Sequence, residues 1–446
     1  MAKLFGTDGI RGNAATLVTP DLVRSVGRAV AAACREGVLG AAVQRPQIVV
    51  GRDTRTSGPE LEKAFVEGAC SRGADVLVGD VLPTAAVAHL TDRLGADAGI
   101  VISASHNPPT DNGVKVFGAG GWKLPVAAEE RIEELIESAA SVAERGSAVP
   151  VPDSLSRYID YLCSIAPHDL AGLRLVVDCA NGAASEAAPG ALERLGADVV
   201  AMNADADGTR INQGCGALHP EVVTEAAREQ GAIGITFDGD ADRVLLSDEE
   251  GRLVDGDAIL ALLAARLRDQ GRLMKNAIVS TVMANQALRR WCTSEGIAFV
   301  ETPVGDRHVL EAMRSGGFVL GGEQSGHIVC LDRATTGDGI LIAIEVLEIV
   351  ATTGRPLSEL VPFRPFPQVL VNVRTAERSA HTEVDGVRRA VLDAEKRLGS
   401  DGRVLVRPSG TEPLVRVMVE APDEHLAGDV AEQVADAVRR ELNGAN

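Results

Sequence analysis

Short, almost uninterrupted apolar runs recur along the chain, each closed by a polar turn and followed by a stretch of helical periodicity. The first, Ile48-Val49-Val50-Gly51-Arg52-Asp53, leads through a helix to Gly73-Ala74-Asp75-Val76-Leu77-Val78. The second runs from Leu175-Val176-Val177-Asp178 through a helix ending at Leu195, then to Gly196-Ala197-Asp198-Val199-Val200. The third starts at Ala277-Ile278-Val279-Ser280-Thr281, passes Leu288 and Trp291, and resumes after Gly296 with Ile297-Ala298-Phe299-Val300. Buried strands alternating with helices predict parallel or mixed sheets covered on both faces. Gly73, Gly196 and Gly296 stand where each helix ends and the chain turns through a left-handed conformation. The expected architecture is α/β, with three similar mixed-sheet α/β domains.

After Pro365-Phe366-Pro367 the pattern changes to a strand Val369–Val373, a helix near Val384 to Leu398, strands around Val404 and Val415, and a closing helix from Leu426. This predicts a smaller α+β domain. Proline-rich or polar links at Val149–Asp153, Asp255–Asp257 and Pro362–Pro367 divide the chain into 1–152, 153–255, 256–365 and 366–446. The helix expected over Glu129 to Ala143 is assigned a scaffold role with one core stripe and no chemistry.

With 446 residues the chain exceeds one ordinary core, and 45% hydrophobic with 24% charged residues is a globular composition. No apolar run approaches membrane-spanning length. A net charge of -19 opposes nucleic-acid or anionic-membrane partners. It leaves a small anionic substrate open, because distant charges are screened and a local cluster of Arg, Lys and metal governs a site. The seven cysteines (34, 70, 163, 179, 215, 292 and 330) form no Cys-x-x-Cys pair and fit reduced packing residues in a cytoplasmic protein. Met1-Ala2-Lys3-Leu4 runs straight into the glycine-rich Phe5-Gly6-Thr7-Asp8-Gly9-Ile10-Arg11-Gly12, with no apolar core for a secretion signal. Monomer and homodimer both remain open.

Ser103-Ala104-Ser105-His106-Asn107-Pro108 follows the run Ala98–Ile102 and sets Ser105 in a tight turn as a candidate nucleophile. Adjacent His106 is either a base or a structural or phosphate-contacting group. Asp238-Gly239-Asp240-Ala241-Asp242-Arg243 follows another strand. On an extended segment, its alternate carboxylates would point to one side as ligands for one cation. Mg²⁺ fits best, since it takes few carboxylates together with waters and a phosphate oxygen. A phosphate on Ser105 would join the two motifs through that ion, with Arg243 clamping it and Lys115 in reach. Gly322-Glu323-Gln324-Ser325-Gly326-His327 offers short polar groups suited to a sugar, Glu323 suiting an amine and His327 a proton transfer. Arg407-Pro408-Ser409-Gly410-Thr411-Glu412-Pro413 with Arg416 combines guanidinium, hydroxyls and a glycine turn into a phosphate cradle.

Taken in this order, the motifs Phe5–Gly12, Ser103–Pro108, Asp238–Arg243, Gly322–His327 and Arg407–Pro413 resemble the α-D-phosphohexomutase superfamily over essentially the whole chain. Within it, the first motif, the Gly-Glu-Gln-Ser-Gly-His loop and the compact length resemble the bacterial phosphoglucosamine mutase branch. The resemblance implies four domains around one central cleft and interconversion of glucosamine 6-phosphate and glucosamine 1-phosphate, on the route to UDP-N-acetylglucosamine for the cell wall. It implies one Mg²⁺ between phosphorylated Ser105 and Asp238, Asp240 and Asp242. Glucosamine 1,6-bisphosphate would be the intermediate, and it or its glucose counterpart an activator. By the same carry-over, Arg11 supports the phosphoserine and Glu323 and Ser325 contact the sugar. Arg407, Ser409, Gly410, Thr411 and Arg416 hold the nonreacting phosphate, and Lys115 and His327 serve as acid and base. Ala217 and Leu218 depart from the Ser and Thr of many relatives in a loop, Cys215–Pro220, that receives no role. The rival readings are a phosphomannomutase or phosphoglucomutase, and a noncatalytic sugar-phosphate or cation-binding module.

Overall fold

The computed structural model describes residues 4–6, 8–138, 142, 144–375, 384–408 and 413–443. They form two compact units, Met1–Met283 with Ile297–Pro362 and Ala284–Gly296 with Phe363–Asn446.

Three sheets build the first unit. One contains β1 (Ile10–Asn13), β2 (Gln47–Arg52), β3 (Asp75–Val81), β4 (Ala98–Ile102), β5 (Asp111–Gly118), β6 (Trp122–Lys123) and β7 (Ala148–Pro150). Another contains β8 (Arg174–Asp178), β9 (Asp198–Met202), β10 (Ile233–Phe237), β11 (Val244–Ser247) and β12 (Leu253–Val254). The last contains β13 (Ala277–Thr281), β14 (Ala298–Thr302), β15 (Leu320–Gly322) and β16 (Ile328–Cys330). The same four-strand plan runs through all of them, as β3-β2-β4-β5, β9-β8-β10-β11 and β14-β13-β15-β16. In each, the strands of the predicted repeat pair in parallel, the next strand joins them in parallel, and a hairpin then returns antiparallel.

That shared topology has a functional consequence. The hairpin turn lies past the carboxyl end of a buried parallel strand, the edge at which open α/β sheets commonly bind ligands. Ser103–Pro108 lies in the β4–β5 connection, Asp238–Arg243 is the β10–β11 turn, and Glu323–His327 is the β15–β16 turn. Three motifs far apart in sequence thus occupy one topological position in three copies of a unit. Strands β4 and β10 are buried at every residue, so the turns they carry are rigidly aimed.

Glycines 73, 196 and 296 all adopt positive φ, at 85°, 92° and 65°. The helix Val126–Ser138 begins before the expected Glu129, and residues 139–141 and 143 of that expectation lie outside the described residues. It is the expected scaffold, with Ala128, Ile132 and Leu135 as its buried stripe. Its Glu133 accepts the amides of Leu4 and Phe5 at 2.8 and 2.6 Å, fastening the amino-terminal motif, and its buried Glu129 pairs with Arg307. Tyr158, fully buried in the helix Ser154–Ile165, donates to Asp338 Oδ1 at 2.7 Å, and the same oxygen caps the helix Gly339–Thr353 by accepting from Leu341 N at 3.0 Å. Burial pushes the Asp338 carboxyl up to about 6. Tyr158→Phe leaves that buried acceptor with one donor fewer and is expected to lower stability by about 1–3 kcal/mol in urea unfolding. An unchanged midpoint would show the bond to be energetically idle.

The second unit holds β17 (Gln368–Arg374), β18 (Arg403–Pro408) and β19 (Leu414–Glu420) in the antiparallel order β17-β19-β18. Val373, Val415, Val417 and Val419 pack there with Val430 and Val434 of the helix Glu424–Asn443. The helix Gln286–Glu295, which links β13 to β14 in sequence, groups with this unit. Asn285 Nδ2 donates to Phe366 O at 3.1 Å, Gln286 N to Glu420 Oε2 at 2.7 Å, and Arg290 pairs with Asp401 at 2.6 Å. The seven cysteines are free thiols, and no helix among the described residues is long and apolar enough to cross a membrane.

Candidate active site

Ser105 is 1% exposed and sits at φ 52°, a left-handed conformation rare for a residue with a side chain. Its Oγ donates to Asp238 Oδ2 at 2.6 Å and lies 3.2 Å from His106 Nδ1. The imidazole therefore turns toward its neighbour. Burial, then Arg243 and Arg11, pull His106 down to about 4, so the ring is neutral near pH 7. Below the hydroxyl, Ser105 N donates to Ser103 Oγ at 2.9 Å, which in turn donates to Asp53 Oδ2 at 2.6 Å.

The second loop brings Asp238, Asp240 and Asp242 together with ligand oxygens within 4.8 Å of one another. It does so by a different geometry from the extended alternation expected of the spacing. Ala241 N bonds back to Asp238 O at 3.1 Å and Ala241 takes φ 57°, so the segment is a closed turn whose curvature points the carboxylates inward. Gly239 lies against the serine turn, where a Cβ would come within 2.6 Å of Ser105 O. Thr84 Oγ1 and Lys115 Nζ donate to Asp240 Oδ2 at 2.6 and 2.7 Å, and Lys115 also reaches Asp242 Oδ2 at 2.7 Å. The remaining oxygens, Asp240 Oδ1 and Asp242 Oδ1, are buried and accept no hydrogen bond from any described residue. Two orphaned carboxylate oxygens in a three-carboxylate turn are the donor set of a hard divalent cation.

Charge is dense here. Burial alone would lower Lys115, but Asp240, Asp242 and Asp8 outweigh it and hold the ammonium well above its ordinary range. Asp238 moves the other way: burial and its two carboxylate neighbours raise it well above the usual carboxyl value, against the pull of Arg243. Arg11 Nε and Arg243 Nε are buried donors with no acceptor among the described residues, an arrangement suited to an anion such as phosphate.

In the third loop, His327 is buried with Nδ1 3.6 Å from Asp242 Oδ1 and Nε2 3.7 Å from Asp306 Oδ2. Burial lowers its basicity and the two carboxylates more than restore it, so it is raised overall. Glu323 N donates to His327 O at 3.0 Å, and Glu323 Oε1 accepts from Gly305 N at 3.0 Å. Ser325 is exposed at the tip. The loop is tied to the aspartate hairpin by Val244 N donating to Gly326 O at 3.1 Å. Ser105, His106, Lys115, Arg11, Arg243, His327 and the three aspartates are therefore all placed by the first unit.

Arg407 and Arg416 belong to the second unit, directly opposite each other on β18 and β19. Burial and Arg416 lower the Arg407 guanidinium, the signature of two facing cations. Ser409, Gly410 and Thr411 lie outside the described residues. The Cys215–Pro220 loop is anchored where Gly216 N donates to Asp178 Oδ2 at 2.8 Å, and Leu218 is exposed.

Several contributors carried no assignment from sequence. Asp8, within the amino-terminal motif, bridges Lys115, Lys123 and Arg11. Lys123 and Asp306 pair beside His327. Arg55 and Asn212 donate to the backbone of the serine turn. The run Asp53-Thr54-Arg55 at the end of an apolar strand was the one available signal, an ion pair of opposite charges entering a buried turn.

Known proteins are similar to this chain in sequence and fold. Four family profiles match in chain order: phosphoglucomutase/phosphomannomutase alpha/beta/alpha domain I over residues 2–143, domain II over 156–251, domain III over 255–365 and the C-terminal domain over 370–437. A phosphoglucosamine mutase of Moorella thermoacetica is 49% identical over 431 residues, 95% of this chain and 96% of the relative. Another, from Salinispora tropica, is 49% identical over 449 residues, 98% and 99% of the two chains. Among solved structures, a phosphoglucomutase/phosphomannomutase family protein of Burkholderia thailandensis aligns with TM-score 0.83 at 26% identity, covering 100% of this chain and 98% of its own. The N-acetylphosphoglucosamine mutase of Aspergillus fumigatus, solved with GlcNAc-6P and magnesium, shares the fold at TM-score 0.67 and 22% identity, covering 98% and 96%. With three repeated hairpins converging on one serine and three aspartates, and with relatives matching from end to end, this chain belongs to the phosphoglucomutase/phosphomannomutase family.

Proposed function

We propose that this chain interconverts glucosamine 6-phosphate and glucosamine 1-phosphate in the cytoplasm, with Ser105 as the phosphoryl carrier. The observation that carries the reading is the 2.6 Å contact of Ser105 Oγ with the aspartate turn, in a chain 49% identical to phosphoglucosamine mutases over nearly its whole length. In the first half of the cycle the P–Oγ bond of phosphorylated Ser105 breaks as a P–O bond to the free sugar hydroxyl forms, giving glucosamine 1,6-bisphosphate. The hydroxyl proton passes to a base and the departing Oγ takes one from an acid. The bisphosphate then turns in the site, and the bond between its other phosphorus and the sugar oxygen breaks as a P–O bond to Ser105 Oγ forms. The Oγ proton passes to a base and the released sugar oxygen takes a proton from an acid.

Neutral His106 is assigned the Oγ proton, a reading supported by its 3.2 Å approach to Oγ. His327 and Lys115 serve the transfers at the sugar oxygens, and Arg11 and Arg243 receive phosphate oxygens on their buried Nε donors. Asp238, Asp240 and Asp242, with a phosphate oxygen on Ser105, would hold Mg²⁺, which when bound there draws charge from the transferring oxygens. Glu323 and Ser325 are assigned to the sugar, its amine facing the carboxylate. Arg407, Ser409, Gly410, Thr411 and Arg416 are assigned to the phosphate that does not react.

Parallel kinetics on glucosamine, glucose and mannose 1-phosphates test the substrate. We expect kcat/KM for the glucosamine compound to lead by at least about 10-fold, since a charge-assisted bond from an ammonium to the Glu323 carboxylate is stronger than the neutral bond that a hydroxyl analogue would donate. Preference for glucose or mannose would transfer the assignment to a phosphoglucomutase or phosphomannomutase. Binding of all three with no turnover would leave only a sugar-phosphate-binding module.

A further inference from the structure

Arg55 is 0% exposed, follows β2 by three residues and uses every donor it has. Nε donates to Asp53 Oδ2 at 2.9 Å. Nη1 donates to Pro108 O and to Asp111 O at 2.9 Å. Nη2 donates to Ser105 O at 2.9 Å and to Asn107 O at 2.8 Å. An arginine carries five N–H groups in a fixed planar fork, and here four grip the backbone of a single turn while the last is held by a buried carboxylate. Asn212 Nδ2 also donates to two of the same carbonyls, Ser105 O at 2.8 Å and Asn107 O at 3.2 Å. Ser105 O therefore receives two donors at the residue whose φ is 52°.

The conformation needs such a clamp. Holding a non-glycine residue in the left-handed region disfavours it by roughly 1–2 kcal/mol relative to the ordinary backbone regions, and an unrestrained turn would relax. Relaxation would swing Oγ away from Asp238. We propose that Arg55, with Asn212, is a positioning residue for the nucleophile: the two side chains lock the carbonyls of the serine turn so that Oγ keeps one position whether or not it carries a phosphate. The inference rests on the reading of Ser105 as phosphoryl carrier. Arg55 touches neither substrate nor the transferring group, and its grip is on backbone, so it acts on the geometry of the step and not on substrate affinity.

The test is Arg55→Lys, which keeps the charge beside Asp53 but offers at most three donors without the planar fork. Wild type and variant are mixed with glucosamine 1,6-bisphosphate, phosphorylation of Ser105 is followed by intact mass against time, and steady-state kinetics are measured alongside. We expect kcat and the phosphorylation rate to fall about 100-fold, the loss that misplacement by an ångström produces, with KM within about twofold of wild type. A folded variant phosphorylated at the wild-type rate, or one with unchanged kcat and raised KM, would overturn the clamp. Should Arg55→Lys fail to fold, Asn212→Ala decides: a kcat loss of about 10-fold at constant KM supports the clamp, and unchanged kcat removes it. Wild-type protein that turns over substrate without ever acquiring a phosphoryl group on Ser105 would instead overturn the carrier reading itself.

Discussion

Ser105→Ala is expected to abolish interconversion in both directions, with kcat reduced by at least about 10⁴-fold, the scale seen when a covalent nucleophile is deleted. Uniform substrate binding should survive, because the sugar and distal phosphate are assigned to other loops, so residual binding measured by calorimetry should stay close to wild type. The fold should survive as well. The side chain is small, and its loss removes two contacts, Oγ to Asp238 Oδ2 and Oγ to His106 Nδ1. Asp238 already sits above its ordinary range through burial and two neighbouring carboxylates, so a protonated form is accessible once the hydroxyl is gone. Intact mass after incubation with the bisphosphate should show a phosphoryl adduct on wild type and none on the variant. Turnover by Ser105→Ala within tenfold of wild type, an order of magnitude far above the deletion scale, would mean that the phosphoryl group travels without this residue.

Removing the divalent ion, or one of its ligands, should be nearly as severe. A chelator is expected to lower kcat about 10³-fold, recovered on adding Mg²⁺, since electrostatic stabilisation of a transferring group commonly accounts for that much. Asp240→Asn should give a similar loss that Mg²⁺ does not recover. The substitution preserves shape and can still accept from Thr84 and Lys115, so a defect would reflect lost charge and not collapse of the turn. Thermal unfolding gives a second readout. A ligand that binds the folded state raises the melting temperature, so Mg²⁺ should stabilise wild type more than the variant. Full activity in chelator, or an equal Mg²⁺ shift in both proteins, would remove the aspartate turn from metal binding.

The strand–helix–strand repeats were legible because a buried parallel strand has a local signature, an apolar run closed by a polar turn, that needs no knowledge of its neighbours. The serine and aspartate motifs were legible for a related reason: each is a short run in which residue types of one chemistry are packed at close spacing. Local reasoning failed first at the conformation of the aspartate loop. Its alternate spacing suggested an extended segment, whereas Ala241 in the left-handed region closes it into a turn. The helix Val126–Ser138 was readable as scaffold from its core stripe, but nothing in its own pattern shows that Glu133 will meet the amides of Leu4 and Phe5.

The residues that brace the site were the least visible. Arg55 lies 50 positions from Ser105 and Asn212 lies 107 positions from it, and beyond the Asp53-Thr54-Arg55 run nothing near either residue points to the serine turn. Hydrophobic period and turn chemistry are set by neighbours in the chain, so they carry strands, helices and the identity of reactive side chains. The meeting of Ser105 with Asp238, across 133 positions, depends on how separate sheets pack, and packing is a sum of many weak contacts that no short segment encodes. The chain alone thus names the hydroxyl and the carboxylates, and the stacking of its sheets joins them.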